Sequence, residues 1–180
     1  KGEVIQDGSD IAIFAYGHTV EWAQKVAEKF EKEGVNVAVI NARFAKPIDK
    51  ELIVKYALKV RCLITTEEHS LKGGFGSAVL EALQEEQVVN VPVKCIGLGD
   101  IVLEHGSPNI QRKNLKLDPD GMFETIMTFY GAVAEMAGSG NGKKWVIGND
   151  KRSHSVNGKK PSYSGNGNKE EIKIKQPLNG

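Results

Sequence analysis

The chain has 180 residues, with 24 Lys and Arg, 23 Asp and Glu, and a formal net charge of +1. That length allows one domain with a sizeable core. No apolar run approaches the roughly 20 residues a membrane-spanning helix needs, which speaks against a membrane protein. The near-neutral total conceals an asymmetry. Residues 1–137 carry 15 basic against 20 acidic side chains (−5), and residues 138–180 carry 9 against 3 (+6). The expectation is a mildly acidic folded body, 1–137, followed by a basic extension, 138–180.

Residues 1–3 lead into no apolar signal segment. The missing initiator methionine suits a fragment of a longer polypeptide. Asp10 to Gly17 reads as the first buried strand, stopped by glycine. Thr19 is placed to cap the next helix, where Val20, Ala23, Val26, Ala27 and Phe30 recur at three- and four-residue steps. Gly34 stands where a helix-ending glycine belongs. Residues 35–40 form a second apolar strand, giving a right-handed βαβ unit. In residues 41–49, Pro47 blocks regular structure and Asp49 can cap a helix from Lys50 to about Leu58. Arg43 and Lys46 leave this strand end. If the strands are neighbours, Arg43 stands beside Glu67 and Glu68, either as an anion-binding or interface arginine or as half of a pair pinning two loops.

Residues 61–77 organise the chain. Residues 62–66 read as a strand covered on both faces, with Glu67, Glu68 and His69 at its C-terminal end. Ligands and partners dock at that edge in open α/β sheets. Gly73, Gly74 and Gly76 then free the backbone, and Ser77 can cap a helix through residues 78–83. Two readings stand side by side. One is an anion or phosphate cradle at a helix start; the other is a tight strand-to-helix crossover that needs small residues. Neither a Gly-x-Gly-x-x-Gly nor a Walker spacing is present.

Further on, residues 91–97 read as another strand with Pro92 at its start. Residues 97–100 form a turn, and residues 104–108 a polar loop holding His105, either a catalytic histidine or one that bonds locally. Residues 118–121 open a last helix to about Met136, striped by Phe123, Ile126, Met127, Tyr130 and Val133. Cys62 and Cys95 lie in apolar runs and read as buried free thiols, which suits a reducing compartment. Beyond Gly138 the composition turns to Gly, Asn, Ser and Lys, too polar to offset its own ordering entropy. Residues 145–147 and 172–174 are brief exceptions that could add an edge strand. The extension lacks the interleaved aromatics expected of a nucleic-acid binder. Strand–helix alternation makes the body a three-layer α/β/α domain around a mostly parallel five-stranded sheet.

No nucleophile elbow, metal cluster or Cys–His pair is present. Glu67, Glu68 and His69 are acid–base candidates without a mechanism around them. The order of segments, however, resembles a known family. Lys1-Gly2-Glu3, Asp10 to Gly17, the run Asn41-Ala42-Arg43-Phe44-Ala45-Lys46-Pro47-Ile48-Asp49, Thr66-Glu67-Glu68-His69, Gly73-Gly74-Phe75-Gly76-Ser77, and Gly97-Leu98-Gly99-Asp100 followed by His105-Gly106 look like the C-terminal, transketolase-type domain of 1-deoxy-D-xylulose-5-phosphate synthases, over about residues 1–135. Gly99 departs from the proline usual there. The related domains that close the β subunits of 2-oxoacid dehydrogenases rank second.

The resemblance implies a transferase that joins pyruvate, decarboxylated on thiamine diphosphate, to glyceraldehyde 3-phosphate for isoprenoid, thiamine and pyridoxal synthesis. It implies that thiamine diphosphate, Mg2+ and the catalytic residues belong to preceding domains, so no catalytic, cofactor or metal residue is carried onto this chain. The implied partners are those preceding domains and a second subunit of a homodimer, in a bacterial cytoplasm or a plastid, with no nucleic acid and no membrane. Arg43, Glu67, Glu68, His69, Gly73, Gly74, Gly76 and Ser77 remain as a candidate anion or interface site. A small anion-binding module and a protein-interaction module are the alternatives.

Overall fold

A computed structural model describes residues 1–101 and 105–136. The expected extension, with the possible strands at 145–147 and 172–174, lies outside these residues. Among the described residues five strands and five helices follow in order: β1 (Glu3–Gln6), β2 (Ile11–Ala15), α1 (Thr19–Lys32), β3 (Val37–Asn41), α2 (Lys50–Ala57), β4 (Cys62–Ser70), α3 (Phe75–Glu85), β5 (Val93–Leu98), α4 (Pro108–Asn114) and α5 (Pro119–Met136). The sheet order is β1-β3-β2-β4-β5. All neighbours are parallel except β1, which runs antiparallel to β3.

Every residue of β2 is buried, as a central strand covered on both faces requires. Its alternate side chains feed two cores. Ile11, Ile13 and Ala15 join Trp22, Val26, Phe30, Ile126 and Tyr130 beneath α1 and α5. Ala12 and Phe14 join Ile53, Tyr56, Val79 and Leu83 beneath α2 and α3. The expected three-layer α/β/α architecture is therefore observed. Cys62 is buried and Cys95 half-buried, both as free thiols. Burial pushes the Cys62 thiol up to about 12, with Asp10 adding to the effect. No helix among the described residues is long and apolar enough to cross a membrane.

Several local expectations need correction. The fifth strand is β1, whose four residues are all exposed, so no apolar alternation announces it. Helix α1 is preceded by His18 rather than capped by Thr19. The buried Thr19 hydroxyl instead lies 3.0 Å from the carbonyl of Thr66 and 2.8 Å from the Thr66 hydroxyl, tying α1 to β4. Helix α3 begins at Phe75 with Gly74 as its N-cap, so Ser77 lies inside the helix. Its hydroxyl donates to the Leu71 carbonyl at 2.7 Å and accepts the Gly73 N–H at 3.1 Å. Strand β4 runs on to Ser70, with an irregularity against β5 between Thr66 and Ser70. Helix α4 is short, buries none of its residues and was not anticipated. The cap at Asp49 is present, accepting the Leu52 N–H. Gly34 has a φ of 74°, as a C′ glycine does.

Candidate functional site

At the C-terminal end of β4 the three polar residues part company. Glu67 is only 1% exposed. One carboxylate oxygen accepts the Phe75 N–H at 2.8 Å and the other accepts the Gly76 N–H at 2.8 Å. These are unpaired donors of the first turn of α3, where the helix presents partial positive charge. The first turn of α3 has no acidic residue of its own; β4 supplies one. The turn therefore has the chemistry of an anion cradle, and the anion on it is the chain's own side chain.

The glycines make room for that carboxylate. A Cβ on Gly74 would stand 2.4 Å from Glu67 Oε2 and 2.2 Å from the Ser70 carbonyl oxygen. One on Gly97 would stand 2.9 Å from Glu67 Cγ. Gly76 lies against Thr65 and Cys95, its Cβ position 2.7 Å from Thr65 Oγ1. Gly73 adopts a φ of 73°, the left-handed region that favours glycine.

Glu68 accepts from Arg112 Nε at 2.8 Å, and the Arg112 guanidinium lies 5.2 Å from the Trp22 ring centre. This clamp joins α4 to β4 and α1. His69 is exposed, its ring 6.0 Å from Tyr16. Tyr16 in turn stacks on Phe75 at 5.5 Å with 20° between the planes. Arg43 does not pair with Glu67 or Glu68, because β2 separates β3 from β4 in the sheet. The pinning pair expected from the sequence is thus replaced by two others, Glu67 with the α3 amides and Glu68 with Arg112. Arg43 takes a φ of 60°, donates its N–H to Asn41 Oδ1 at 3.1 Å and sets its guanidinium 5.7 Å from the Phe44 ring centre. His105 is exposed in the loop before α4.

Taken together, these groups do not converge on a reacting atom. Glu67 is engaged on both oxygens, Glu68 is in an ion pair and His69 lies against a tyrosine. Among the described residues no three His, Cys, Asp or Glu side chains are placed to hold a metal ion. The donor set does not fit thiamine diphosphate or Mg2+: the α3 amides suited to a phosphate are engaged by Glu67. Sequence reasoning missed Arg112 and the Tyr16–Phe75 stack. Arg112 sits in a segment with no apolar period, and Tyr16 reads simply as the end of a strand.

A doubly covered, mostly parallel sheet with one antiparallel edge and a self-filled helix start defines a three-layer domain of the α/β class. The family described as Transketolase, C-terminal domain, matches residues 1–122, and the chain belongs to that family. Its relatives include 1-deoxy-D-xylulose-5-phosphate synthase of Thermosynechococcus vestitus, 50% identical over 131 residues, covering 73% of this chain and 20% of the relative. The synthase of Heliobacterium modesticaldum is 46% identical over 117 residues, covering 65% and 18%. Among solved structures, a chain described as a split gene transketolase, inactive beta4 tetramer, superposes with a TM-score of 0.66 at 34% identity, covering 71% of this chain and 41% of that one. The chain thus spans about a fifth of the length of the curated relatives it matches.

Proposed function

We propose that this chain is the C-terminal domain of a thiamine diphosphate-dependent 1-deoxy-D-xylulose-5-phosphate synthase, acting as a scaffold rather than as the seat of chemistry. In the whole enzyme, pyruvate and glyceraldehyde 3-phosphate would give 1-deoxy-D-xylulose 5-phosphate and CO2. Thiamine diphosphate, when bound, supplies the carbanion stabilisation that decarboxylation needs. In this reading it is held with Mg2+ by the preceding domains. The observation that carries the proposal is 50% identity over 131 residues to a protein of that name. The relatives given above bear the same name, which favours this reading over a 2-oxoacid dehydrogenase β subunit.

The domain's work is to pack on the preceding domain, support a homodimer and shape the rim of the active site. The body would end near residue 137, with residues 138–180 as a basic extension. The setting would be a bacterial cytoplasm or a plastid, with no nucleic acid or membrane as partner. The test is a pair of measurements. Calorimetric titration of the 180-residue chain with thiamine diphosphate and Mg2+ should show no saturable binding. The full-length polypeptide should form product from the two substrates. Tight cofactor binding by the 180-residue chain, or a full-length protein without thiamine-dependent synthase activity, would overturn the proposal.

A further inference from the structure

Among the described residues one buried side-chain oxygen has no hydrogen-bond partner, Thr65 Oγ1. Thr65 lies in β4 and is 0% exposed. The other two buried threonines, Thr19 and Thr66, hydrogen-bond to each other and to backbone carbonyls. A hydroxyl shut away from water without a partner costs its desolvation, so each such group in a folded protein calls for a reason.

The reason stands on the neighbouring strand. Thr65 is opposite Cys95 in the parallel β4–β5 register, so the two side chains share a face of the sheet. That face is the one beneath α3. A Cβ on Gly76 would meet Thr65 Oγ1 at 2.7 Å and Cys95 Sγ at 2.9 Å. Hydroxyl and sulfur thus flank a single point, yet make no hydrogen bond to each other. Cys95 is only half-buried and belongs to the outer strand of the sheet, where small reagents reach it. Cys62 differs in each respect. It is 0% exposed and belongs to the core beneath α1 and α5, on the other face.

We infer that Cys95 is a site of reversible oxidation by hydroperoxides, with the Thr65 hydroxyl positioning the oxygen that the sulfur receives. The thiolate is the attacking form. Its sulfur attacks the terminal peroxide oxygen; an S–O bond forms as the O–O bond breaks. Sulfur is oxidised by two electrons, and the second oxygen leaves as water or an alcohol after taking up the proton the thiol lost. The Thr65 O–H donates to the transferred oxygen and so gains the acceptor it lacks. Cys62, on the opposite face, cannot resolve the sulfenic acid as an internal disulfide. Restoration falls to a small external thiol. One molecule displaces water to form a mixed disulfide, and a second releases the Cys95 thiol and leaves as the external disulfide. This inference goes beyond the domain reading proposed above and does not depend on it.

Hydrogen peroxide, with a 1,3-diketone to trap sulfenic acid, tests it on the 180-residue chain, read by peptide mass spectrometry. The trap should mark Cys95 and leave Cys62 unmarked. Thr65→Val, which puts a methyl in place of the hydroxyl, should slow oxidation of Cys95 by about tenfold, the effect of losing one hydrogen bond to a charged group. Thr65→Ser should keep the wild-type rate. Alkylation by iodoacetamide is the control, because it uses the same sulfur but adds no oxygen to it. Its rate at Cys95 should be the same in all three proteins. No trapped product at Cys95 in the wild type would overturn the inference, as would equal marking of the two cysteines. So would a Thr65→Val variant that slows both reactions alike, or neither. The comparison of Cys95 with Cys62 in the wild type decides the site even if Thr65→Val fails to fold.

Discussion

Glu67 in β4 holds the first turn of α3 through two 2.8 Å hydrogen bonds, from the N–H groups of Phe75 and Gly76. The carboxylate is 1% exposed, so little water competes for these donors. Hydrogen bonds to charged groups contribute more than neutral ones, and a buried donor left unmade costs its full desolvation. Glu67→Ala strips both amides of their partner and should lower stability by about 3 kcal/mol. Glu67→Gln keeps one acceptor oxygen but turns an amide NH2 toward the other donor, and should recover only part of that loss. Urea unfolding followed by circular dichroism measures both, with an unchanged m-value showing that stability alone has moved.

The described glycines divide into those that are packed against, such as Gly74 beside this carboxylate, and those that are not. Gly74→Ala would place a methyl 2.2 Å from a carbonyl oxygen and 2.4 Å from Glu67 Oε2. Neither can withdraw without breaking the α3 start, and a loss of about 3 kcal/mol is expected. Gly131 lies within α5 with nothing within 4 Å of its Cβ position. Gly131→Ala should therefore stabilise by about 0.5–1 kcal/mol, through helix propensity and a less free unfolded chain. Thermal unfolding of the two variants should give shifts of opposite sign.

These contrasts bear on what the residues disclose before any coordinates. The apolar runs of β2, β3 and β4 and the stripes of α1 and α5 were legible because each buries a continuous face, whereas β5 was legible by composition although only Ile96 of it is buried. β1 was not, since all its residues are exposed and its place depends on pairing with β3. For the Gly73–Ser77 turn the sequence leaves two readings side by side, an anion cradle and a tight crossover that needs small residues. That its anion is Glu67, eight residues before Phe75, could not be read from spacing, because β4 runs past the expected end to Ser70. The Arg43 pairing failed for a topological reason: sequence order puts β3 before β4, whereas β2 lies between them in space.

Asp7 links pH to stability at the opposite edge of the sheet. It accepts hydrogen bonds from Lys59 and Tyr56, which together with the Gly8 N–H hold its carboxyl down at about 2. A depressed folded-state value gives stability that is present above the ordinary value of 3.8 and lost as pH falls toward 2. The partner behaves oppositely. Burial first, then Asp7, pushes the Tyr56 hydroxyl up to about 12, so its contribution is intact below 10 and lost as pH rises through 12. Asp7→Asn should flatten the acid limb of stability against pH, and Tyr56→Phe the alkaline limb. Because Asp7 is solvent-accessible, raising salt should weaken the acid effect. Urea midpoints measured across the two windows check both.

Arg112 is the last element of the site with a separable contribution. Helix α4 buries none of its own residues, and Arg112 joins it to β4 through Glu68 and to α1 through the Trp22 face. The ion pair is about 30% exposed on both sides, so its Coulomb gain is partly screened, while the cation–π contact over the Trp22 ring is less sensitive to salt. Arg112→Ala should cost about 1 kcal/mol in global stability and should raise the hydrogen-exchange rates of residues 108–114 more than those of the β2 or β4 core, because α4 buries none of its own residues. Arg112→Lys keeps the charge but loses the guanidinium's fork and its broad contact with the Trp22 face, and should give an effect between wild type and Arg112→Ala. A double-mutant cycle with Glu68→Gln isolates the pair: a coupling of about 0.5–1 kcal/mol is expected. A coupling near zero with α4 exchange still accelerated would assign the anchoring to the cation–π contact with Trp22.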